Sequence, residues 1–512
     1  MSEQRQRDGM FAARLRGWWR QVVAREVGAF RLYTLLATII GLSFSLYVLH
    51  RMYLAQVFAF HDLGLIDDIL GSWWNHGRMF YIFDYGINHL SLHFTPSLFL
   101  WLPLFGIVQS QFLLVALNAV VLSAAFALAL LSLRRILRPL FTPGELALAA
   151  ILFTVVTWKN TFFWNALTAA HYEEFYAFYA VGLLYLLLIE ARLWLVVGAY
   201  LLCLGSRQDA GFFLFFQLFS LLFAPRVIFQ NYPRLVRRIT PMALLGLVYT
   251  VFVSKVVFPL FGTDQTWHAK RLWGQFGNSF EEIALNMAKD PLRVAMEIYN
   301  SAAPDLNASF LLVHFFNPMM ALINNIPGVL FYTTSTESRK FLHYYNSSFL
   351  FPGFFVSFIF GLYGLKRLCQ HWSVRPKALP ATLAVLALAL ALLPSIGRRY
   401  KSYPGLNPAA EVEGVNRLAF IQSALGDCPI PVTVATDFSS VVYLPNRVGK
   451  YLPNHYSSAD AVFVFRGGNT FASDFSTSAA FLAKVDADKD FVRIRGDADA
   501  AFYVKRSVDC HA

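Results

Sequence analysis

Long apolar stretches alternate with short arginine-rich ones along most of this chain, and that alternation limits what it can fold into. The first apolar stretch, residues 33–53, is long enough to cross the roughly 30 Å hydrocarbon layer of a bilayer as one helix. Hydrophobic residues make up 57% of the 512 residues and charged residues 14%, too few to cover a water-soluble domain of this size. The sequence therefore predicts an α-helical membrane protein with many spans.

The positive charge is distributed as membrane topology requires. The net charge is +12, and basic residues collect between apolar stretches, as at Arg134, Arg135 and Arg138. Cytoplasmic loops are enriched in arginine and lysine, so these loops and the basic, amphipathic residues 1–32 are predicted to lie inside the cell, against membrane lipid. Topology explains the basicity without a nucleic-acid partner.

Counting apolar stretches across residues 33–398 gives about 11 transmembrane helices. The long stretch 54–110 after the first span is predicted to form an outer loop, and residues 261–305 are predicted to form a second, polar one. Residues 308–333 are interrupted by Asn-Pro and Asn-Asn-Ile-Pro, which indicates either two short crossings or one re-entrant hairpin. An odd count places the C-terminal residues opposite the cytoplasmic N-terminus.

Residues 403–512 are more polar and are predicted to form a small extracytoplasmic α/β domain. Cys428 and Cys510 both fall in it, and they would form a disulfide in an oxidising compartment or remain two free thiols otherwise. Periodicity predicts helices over 411–425 and 475–484, strands over 430–436 and 461–466, and a strand pair over 490–505.

Ionisable side chains gather in the loops that this topology places outside. Such groups are costly at membrane depth unless they are paired or line a wet cavity, so their convergence would mark a polar site. Simpler interpretations exist: Asp62 suits a helix cap, Asp67 a solvated helix face, and the Arg207–Asp209 turn a surface ion pair. No residue is assigned to a metal ion. The candidate residues are Asp62, Asp67, His93, His171, Glu174, Arg207, Asp209 and His343.

Five short motifs carry a resemblance to a protein family, and it runs from about residue 30 to the C-terminal domain. In this order they resemble a bacterial family of multi-spanning membrane proteins of unknown function, which is itself similar to the GT-C glycosyltransferases. At the fourth motif that family more often has Lys-Glu-Asp, so a role for Gln208 is in doubt. The motifs are Asp62-Leu63-Gly64 followed by Asp67, Leu92-His93-Phe94-Thr95-Pro96, His171-Tyr172-Glu173-Glu174-Phe175, Ser206-Arg207-Gln208-Asp209-Ala210 and His343-Tyr344-Tyr345.

The resemblance implies a GT-C-like fold in the bacterial plasma membrane and a specific reaction. GT-C enzymes use an acidic residue of the first outer loop as general base, take sugar from a polyprenyl-phosphate carrier, and often end in a soluble outer domain. Asp62 best matches the base, with Asp67 beside it, while Arg207 and His343 would hold the phosphate. No cofactor is required by the resemblance, and a divalent metal stays open. His93, His171, Glu174 and Asp209 are the remaining substrate-binding candidates.

Two other functions compete with this prediction. A transporter or flippase would use the same charges as a pathway, but transporters tend to have duplicated halves, and this sequence has no such repeat. A non-catalytic GT-C-like scaffold would instead bind a cell-envelope polymer through its outer domain. Tolerance of substitutions at Asp62 and Arg207 would favour the scaffold.

Overall fold

The computed structural model shows a mostly helical chain with a small sheet near its C-terminus. Side chains of residues 2–25 and of a few helix positions, Asp62 among them, lie outside the described part. The structure describes residues 2–55, 61–108, 110, 112–169, 171–261, 266–372, 378–392, 408–428, 433–437, 440–445, 447–466, 475–497, 499–508 and 510.

The first half of the chain begins with a long helix and continues through shorter ones. Its helices are α1 (Ser2–Leu54), α2 (His61–His76), α3 (Leu102–Ile107), α4 (Phe112–Leu137), α5 (Pro143–Trp158), α6 (Thr161–Ala169), α7 (Glu174–Leu188), α8 (Leu193–Leu204), α9 (Ala210–Ser220), α10 (Arg226–Asn231), α11 (Pro233–Phe252) and α12 (Phe258–Leu260). A small hairpin of β1 (Tyr81–Ile82) and β2 (Ile87–Asn88) follows α2. A π-helical turn, Val253–Val257, joins α11 to α12.

The second half contains many short helices before the C-terminal domain. They are α13 (Thr266–Trp273), α14 (Phe280–Lys289), α15 (Pro291–Tyr299), α16 (Ala303–Ser309), α17 (Pro318–Asn325), α18 (Val329–Tyr332), α19 (Glu337–Lys340), α20 (Phe351–His371) and α21 (Ala378–Leu392). Residues 261–305, expected as a polar loop, therefore include helices α13, α14 and α15.

Three helical stretches among the described residues are long and apolar enough to cross a membrane, namely Glu26–Leu54, Phe112–Leu137 and Pro233–Leu260. Helices α5 and α6 would make a fourth, although they are bent by 56°. The bend falls at Asn160, whose side-chain oxygen accepts hydrogen bonds from the Phe162 and Phe163 amides and so starts α6 in a new direction. The predicted number of about 11 spans stays a prediction.

The two ends of the helical bundle differ chemically. At one end, which we call the basic end, the Tyr232 hydroxyl donates to the Arg135 carbonyl, the Arg238 guanidinium to the Ala191 carbonyl, and Lys366 pairs with Glu145. The opposite end carries residues 61–108 and the C-terminal domain, and we call it the docked end.

Residues 303–332 enter and leave the bundle at the docked end. Near their start, the Ala302 amide donates to the Lys340 carbonyl, and beyond their end the Thr333 carbonyl accepts from Gln275. The turn between them reaches Gly364 of α20, where a Cβ atom would lie 2.2 Å from the Phe316 carbonyl oxygen. Gly364 lies about 20 Å along α20 from its first residue, at 1.5 Å per residue. The segment thus dips deep into the bundle and returns.

The C-terminal domain is a five-stranded mixed sheet covered by one helix on each face. Alternate residues of β5 face opposite sides, so Phe463 packs with the core under α22 while Val462 and Val464 pack under α23. Cys428, just after α22, is joined by a disulfide to Cys510. The elements are α22 (Pro408–Asp427), β3 (Thr433–Ala435), β4 (Gly449–Tyr451), β5 (Ala461–Phe465), α23 (Ser478–Asp486), β6 (Phe491–Gly496) and β7 (Ala500–Lys505), in sheet order β4-β3-β5-β7-β6. Strands β4, β3 and β5 are mutually parallel, and β7 is antiparallel to β5 and β6.

The predicted elements of this domain are largely confirmed. Helix α22 covers the predicted 411–425, α23 begins three residues after the start of the predicted 475–484, the terminal strand pair falls within 490–505, and β5 ends one residue before the predicted boundary. Strand β3 lies within the predicted 430–436, of which residues 430–432 are outside the described part. The sequence did not predict the short strand β4, which carries Lys450, the residue that binds helix α2 to this domain.

Candidate functional site

Arg207, at the tip of the α8–α9 hairpin, is the centre of a buried ion-pair cluster. Its Nη1 donates to Glu173 Oε2 at 2.7 Å, and its Nε and Nη2 donate to the two carboxylate oxygens of Asp209 at 2.5 and 2.7 Å. The guanidinium carbon also lies 4.1 Å from the ring centroid of Phe349. We call these four residues the Arg207 cluster.

Histidines of two other segments lie beside this cluster. His93 Nδ1 is 3.3 Å from Gln208 Nε2, which joins residues 89–95 to the hairpin tip. The His171 and Tyr172 rings are 4.2 Å apart, and the Tyr172 ring is 5.3 Å from that of His89. The structure thus brings His93, His171, Arg207 and Asp209 together from three separate parts of the chain.

Glu174 begins α7 next to Glu173 and is fully buried. Neither of its carboxylate oxygens makes a hydrogen bond of ordinary geometry among the described residues, although the backbone amides of His171 and Glu174 itself lie near it. A negative charge at a helix N-terminus is favoured by the helix dipole. The Arg207 cluster, which contains Glu173 and Asp209, therefore has a third acid beside it that contacts no cation within the described residues.

The Arg207 cluster is recessed within the bundle. Helices α8 and α9 have 12 and 11 residues, hence lengths near 18 and 17 Å, short of the roughly 30 Å of a bilayer core. Gly211, just past the hairpin tip, touches α11 at Gly246, where an added Cβ would lie 2.1 Å from the Gly246 carbonyl oxygen. From that contact the span continues to Leu260, about 20 Å further along. The paired charges thus lie beside the middle of this apolar helix and not at its docked end.

Asp67 and Asp68 occupy a different place. Lys450 of β4 donates from Nζ to Asp67 Oδ2 at 2.6 Å and to Asp68 Oδ1 at 3.3 Å, and its backbone amide donates to Asp68 Oδ2 at 3.1 Å. All three side chains are essentially inaccessible to solvent. This Lys450 cluster joins helix α2 to the C-terminal domain.

Further contacts extend the same interface. Asp84 accepts from the Leu452 amide at 3.0 Å and lies 2.9 Å from His455 Nδ1. Gly64 of α2 packs against Val441, where a Cβ would meet the valine methyls at 3.0 Å. The Tyr443 hydroxyl donates to the last carbonyl groups of α1 at distances of 2.9 and 3.0 Å. The C-terminal domain is therefore bonded to both α1 and α2.

The Lys450 cluster has one cation for two carboxylates. Burial raises the pKa of Asp68 to about 7 and also raises the pKa of Asp67, although the Lys450 ammonium opposes both rises. Burial acts to lower the pKa of Lys450, but the two carboxylates outweigh it, so that the pKa is raised. A buried cluster with one excess negative charge is relieved by taking up a proton. Burial and the unequal charge count both favour the protonated form of the carboxylates in this cluster.

The remaining predicted residues are placed as follows. The backbone at Asp62 is helical, in the first turn of α2, but its side chain lies outside the described residues. His343 lies in a turn in which its amide donates to the Ser338 carbonyl at 2.8 Å and its carbonyl accepts from Asn346 at 2.6 Å. The chain continues from this turn to Phe349 of the Arg207 cluster. Within the described part of the chain, no group of three His, Cys, Asp or Glu is placed to hold a metal ion.

Sequence reasoning missed Lys450 and His455. The only signal at Lys450 is a charged residue between Gly449 and Tyr451, with apolar residues on either side, in a run too short to be recognised as a strand. Its two partners lie more than 380 residues earlier, so spacing along the chain carries no information about the contact.

Apolar helices of membrane-spanning length, with paired charges recessed at one end, define an integral membrane protein. The chain belongs to the family described as predicted membrane protein (DUF2079), whose model matches residues 51–448. No curated protein and no solved structure matches it. The predicted membership of a membrane-protein family of unknown function is confirmed, whereas its likeness to the GT-C glycosyltransferases stays a prediction.

Proposed function

We propose that this protein is a GT-C-type glycosyltransferase of the bacterial plasma membrane. It would move a sugar from a polyprenyl-phosphate-linked donor onto an extracytoplasmic glycan or lipid. The observation that carries the proposal is the recessed Arg207 cluster, with His93, His171 and Glu174 beside it. Charged groups at membrane depth are expensive and generally functional.

Two features support the proposed orientation of the chain. The basic end carries Arg135 and Arg238, as expected of a cytoplasmic face. The C-terminal domain at the docked end contains the Cys428–Cys510 disulfide, and such bonds persist in oxidising compartments. Both favour a cytoplasmic N-terminus and an extracytoplasmic C-terminal domain. The finer topology of about 11 spans belongs to the same proposal.

In this reaction Asp62 removes the proton of an acceptor hydroxyl as that oxygen attacks the anomeric carbon. The bond from the anomeric carbon to the phosphate oxygen breaks, and cationic groups stabilise the phosphate that leaves. Asp67 cannot share this work while it is bound to Lys450 with no exposed surface. We therefore assign Asp67 to positioning: together with Asp68 it fixes α2, and hence the backbone of Asp62, against the C-terminal domain.

Arg207 would bind the donor phosphate, assisted by His343. In the present arrangement Asp209 accepts two of the guanidinium hydrogen bonds, and Glu173 accepts another. Asp209 is the more exposed of the two acids, at 32% against 3% for Glu173. A phosphate that binds Arg207 would therefore displace Asp209 and leave Glu173 in place.

The first experiment replaces Asp62 by Asn and measures sugar transfer from a lipid-linked donor in proteoliposomes. Loss of a general base typically costs on the order of 100-fold to 10,000-fold in turnover. The matched control is Asp490→Asn, an exposed carboxylate of the C-terminal domain, which should leave turnover unchanged. Unchanged turnover in a folded Asp62→Asn protein would remove Asp62 from the reaction.

A second experiment addresses the phosphate site. Asp209→Asn frees two donors of Arg207 from a competing carboxylate, so we expect the KM for the lipid-linked donor to fall. Arg207→Lys loses the planar fork that binds phosphate oxygens in pairs, so that KM should rise. If Asp209→Asn raised KM instead, Asp209 would contact the substrate directly and the displacement scheme would be wrong.

A transporter or flippase is the second candidate, and one observation favours it. The dipping segment 303–332 consists of broken helices with buried amides: Asn324 donates to Ser220 and Ser357, and Asn325 pairs with Asn307. Interrupted helices that line a polar pathway are typical of transporters. Movement of the lipid-linked sugar across the membrane without transfer, insensitive to Asp62→Asn, would select this function over the enzyme. A scaffold would show neither activity.

A further inference from the structure

Helices α14 and α15, joined at Asp290, carry exposed apolar side chains. Five large ones are between 49% and 76% exposed. On α15 three of them are spaced four and then three residues apart, so they form one stripe along the helix. Water-exposed surfaces rarely carry so large an apolar patch without a partner. The five residues are Phe280, Leu285, Leu292, Met296 and Tyr299.

The opposite face of α14 packs against a small core, and both helices have defined N-terminal caps. Ile283 of α14 packs with Phe276 and Ala269 in a small core. Both helices start at capping side chains, with Ser279 accepting from the Glu282 amide and Asp290 from the Arg293 amide. The exposed stripe is therefore held in place by folded structure.

Two exposed, oppositely charged residues show where helices α14 and α15 lie along the membrane-spanning helix. Lys255, in the π-helical turn after α11, lies 4.0 Å from Glu281 at the start of α14. Arg238 marks the basic end of the same span, and Lys255 lies about 25 Å from it along the helix. A bilayer core is roughly 30 Å thick, so Lys255 and Glu281 fall near the hydrocarbon boundary of the docked end.

We propose that helices α14 and α15, residues 280–299, lie flat in the membrane interface, with the apolar stripe among the lipid headgroups and upper acyl chains. The stripe continues a surface that already faces lipid, since the apolar side chains of the span are exposed up to Leu260 and Phe261. The stripe is expected to bind lipid through apolar contacts and without attraction to anionic headgroups, because residues 280–299 contain four acidic residues against two basic ones.

Helix α15 is also bonded to the segment that follows the dipping helices. Glu297 of α15 pairs with Lys340 of α19 at 2.5 Å, and α19 leads to the turn that contains His343.

The test uses the full chain in zwitterionic nanodiscs, one copy per disc, with an environment-sensitive fluorophore on single cysteines. The background is Cys369→Ser, because Cys203 is buried and Cys428 and Cys510 form a disulfide. Probes are placed at Met296→Cys and Leu292→Cys on the stripe. Leu245→Cys, on the lipid-facing middle of α11, and Ile494→Cys, exposed on β6, are the deep and aqueous controls. Spin-labelled lipids with shallow or deep labels then quench the emission.

We expect the stripe probes to be quenched by the shallow label more than by the deep one, while the Leu245 probe shows the reverse order and the Ile494 probe is unaffected. Stripe probes that behave like the Ile494 probe would overturn the proposal. So would quenching or a blue shift that appears only with two copies per disc, because the stripe would then bind protein. Agreement between the two stripe positions and an unchanged thermal unfolding midpoint exclude misfolding of a single variant.

Discussion

Lys450→Met is expected to release the C-terminal domain from helix α2. The substitution removes the only cation that contacts Asp67 and Asp68 within the described structure and leaves two buried carboxylates. Methionine fills much of the lysine volume, so the main loss is electrostatic. Removal of one partner from a buried ion pair typically costs about 3–5 kcal/mol. We expect a loss near the lower end of this range, because the two carboxylates that lose Lys450 can take up protons and so reduce the cost.

The same cluster makes the docked interface pH-dependent in a defined direction. The folded-state pKa of Asp68 is about 7, above its ordinary value of 3.8, so the folded protein holds a proton that the unfolded chain releases. The contribution of Asp68 to stability is therefore fully present below pH 3.8 and is lost as the pH rises through 7. The loss reaches up to about 1.4 kcal/mol per pH unit within that window.

Hydrogen–deuterium exchange of the peptides that contain α2 and β4 measures both effects in the intact protein. Protection of these peptides should fall from pH 5 to pH 8, and should be lower in Lys450→Met at every pH. Asp68→Asn should reduce the pH dependence, because it removes the group that titrates. Lys484→Met, an exposed lysine of α23, is the matched control and should behave as the wild type.

A triple variant separates loss of charge from loss of packing. Asp67→Asn and Asp68→Asn combined with Lys450→Met leave no buried charge, so protection should recover much of what Lys450→Met alone loses. If Lys450→Met kept wild-type protection at all pH values, the ion pairs would not hold the domain. If the triple variant were no better than Lys450→Met, packing and not charge would explain the loss.

Two further predictions concern the domain and the bundle. Replacing Cys428 and Cys510 together by Ser opens a loop closed over a separation of 82 residues and should destabilise the C-terminal domain by about 4 kcal/mol, seen as a lower thermal midpoint. Equal midpoints with and without the disulfide would refute this. Gly211→Ala brings a methyl group within 2.1 Å of the Gly246 carbonyl oxygen and should destabilise the bundle by about 1–3 kcal/mol. Gly198→Ala, with nothing within 4 Å of its Cβ, should be neutral, and equal effects of both changes would contradict the packing argument.

Sequence patterns captured the elements whose signal is local. An apolar run within residues 461–466 and helical periodicity over 475–484 predict a strand and a helix, which the structure has at Ala461–Phe465 and Ser478–Asp486. Residues 261–305 were predicted as a loop because their polar composition outweighed two local helix starts, at Ser279 and Asp290. The interrupted stretch 308–333 was recognised from its Asn-Pro sequences, and its depth in the bundle could only come from contacts with α20.

The candidate site also contains both contacts that the local sequence predicts and contacts that it does not. A cation and an acid two residues apart on a tight turn predict the Arg207–Asp209 pair, and their pairing needs no distant partner. That Glu173 completes the cluster, or that Asp67 pairs with Lys450, depends on how helices pack. Long-range pairing of this kind leaves no periodic trace in the sequence, so Asp67 could be identified as an important acid but not as part of a domain interface.

The bonds from Tyr443 to the end of α1 and from Lys450 to α2 join the beginning of the chain to its final fifth. Ribosomes make proteins from the N-terminus, so the first helix enters the lipid long before its partner strand exists. Until Lys450 has been synthesised, Asp67 and Asp68 have no cationic partner from β4, and α2 cannot dock against the C-terminal domain. The docked end is therefore the last part of the protein to fold. In any nascent chain that ends before β4, helix α2 lacks its contacts with the C-terminal domain.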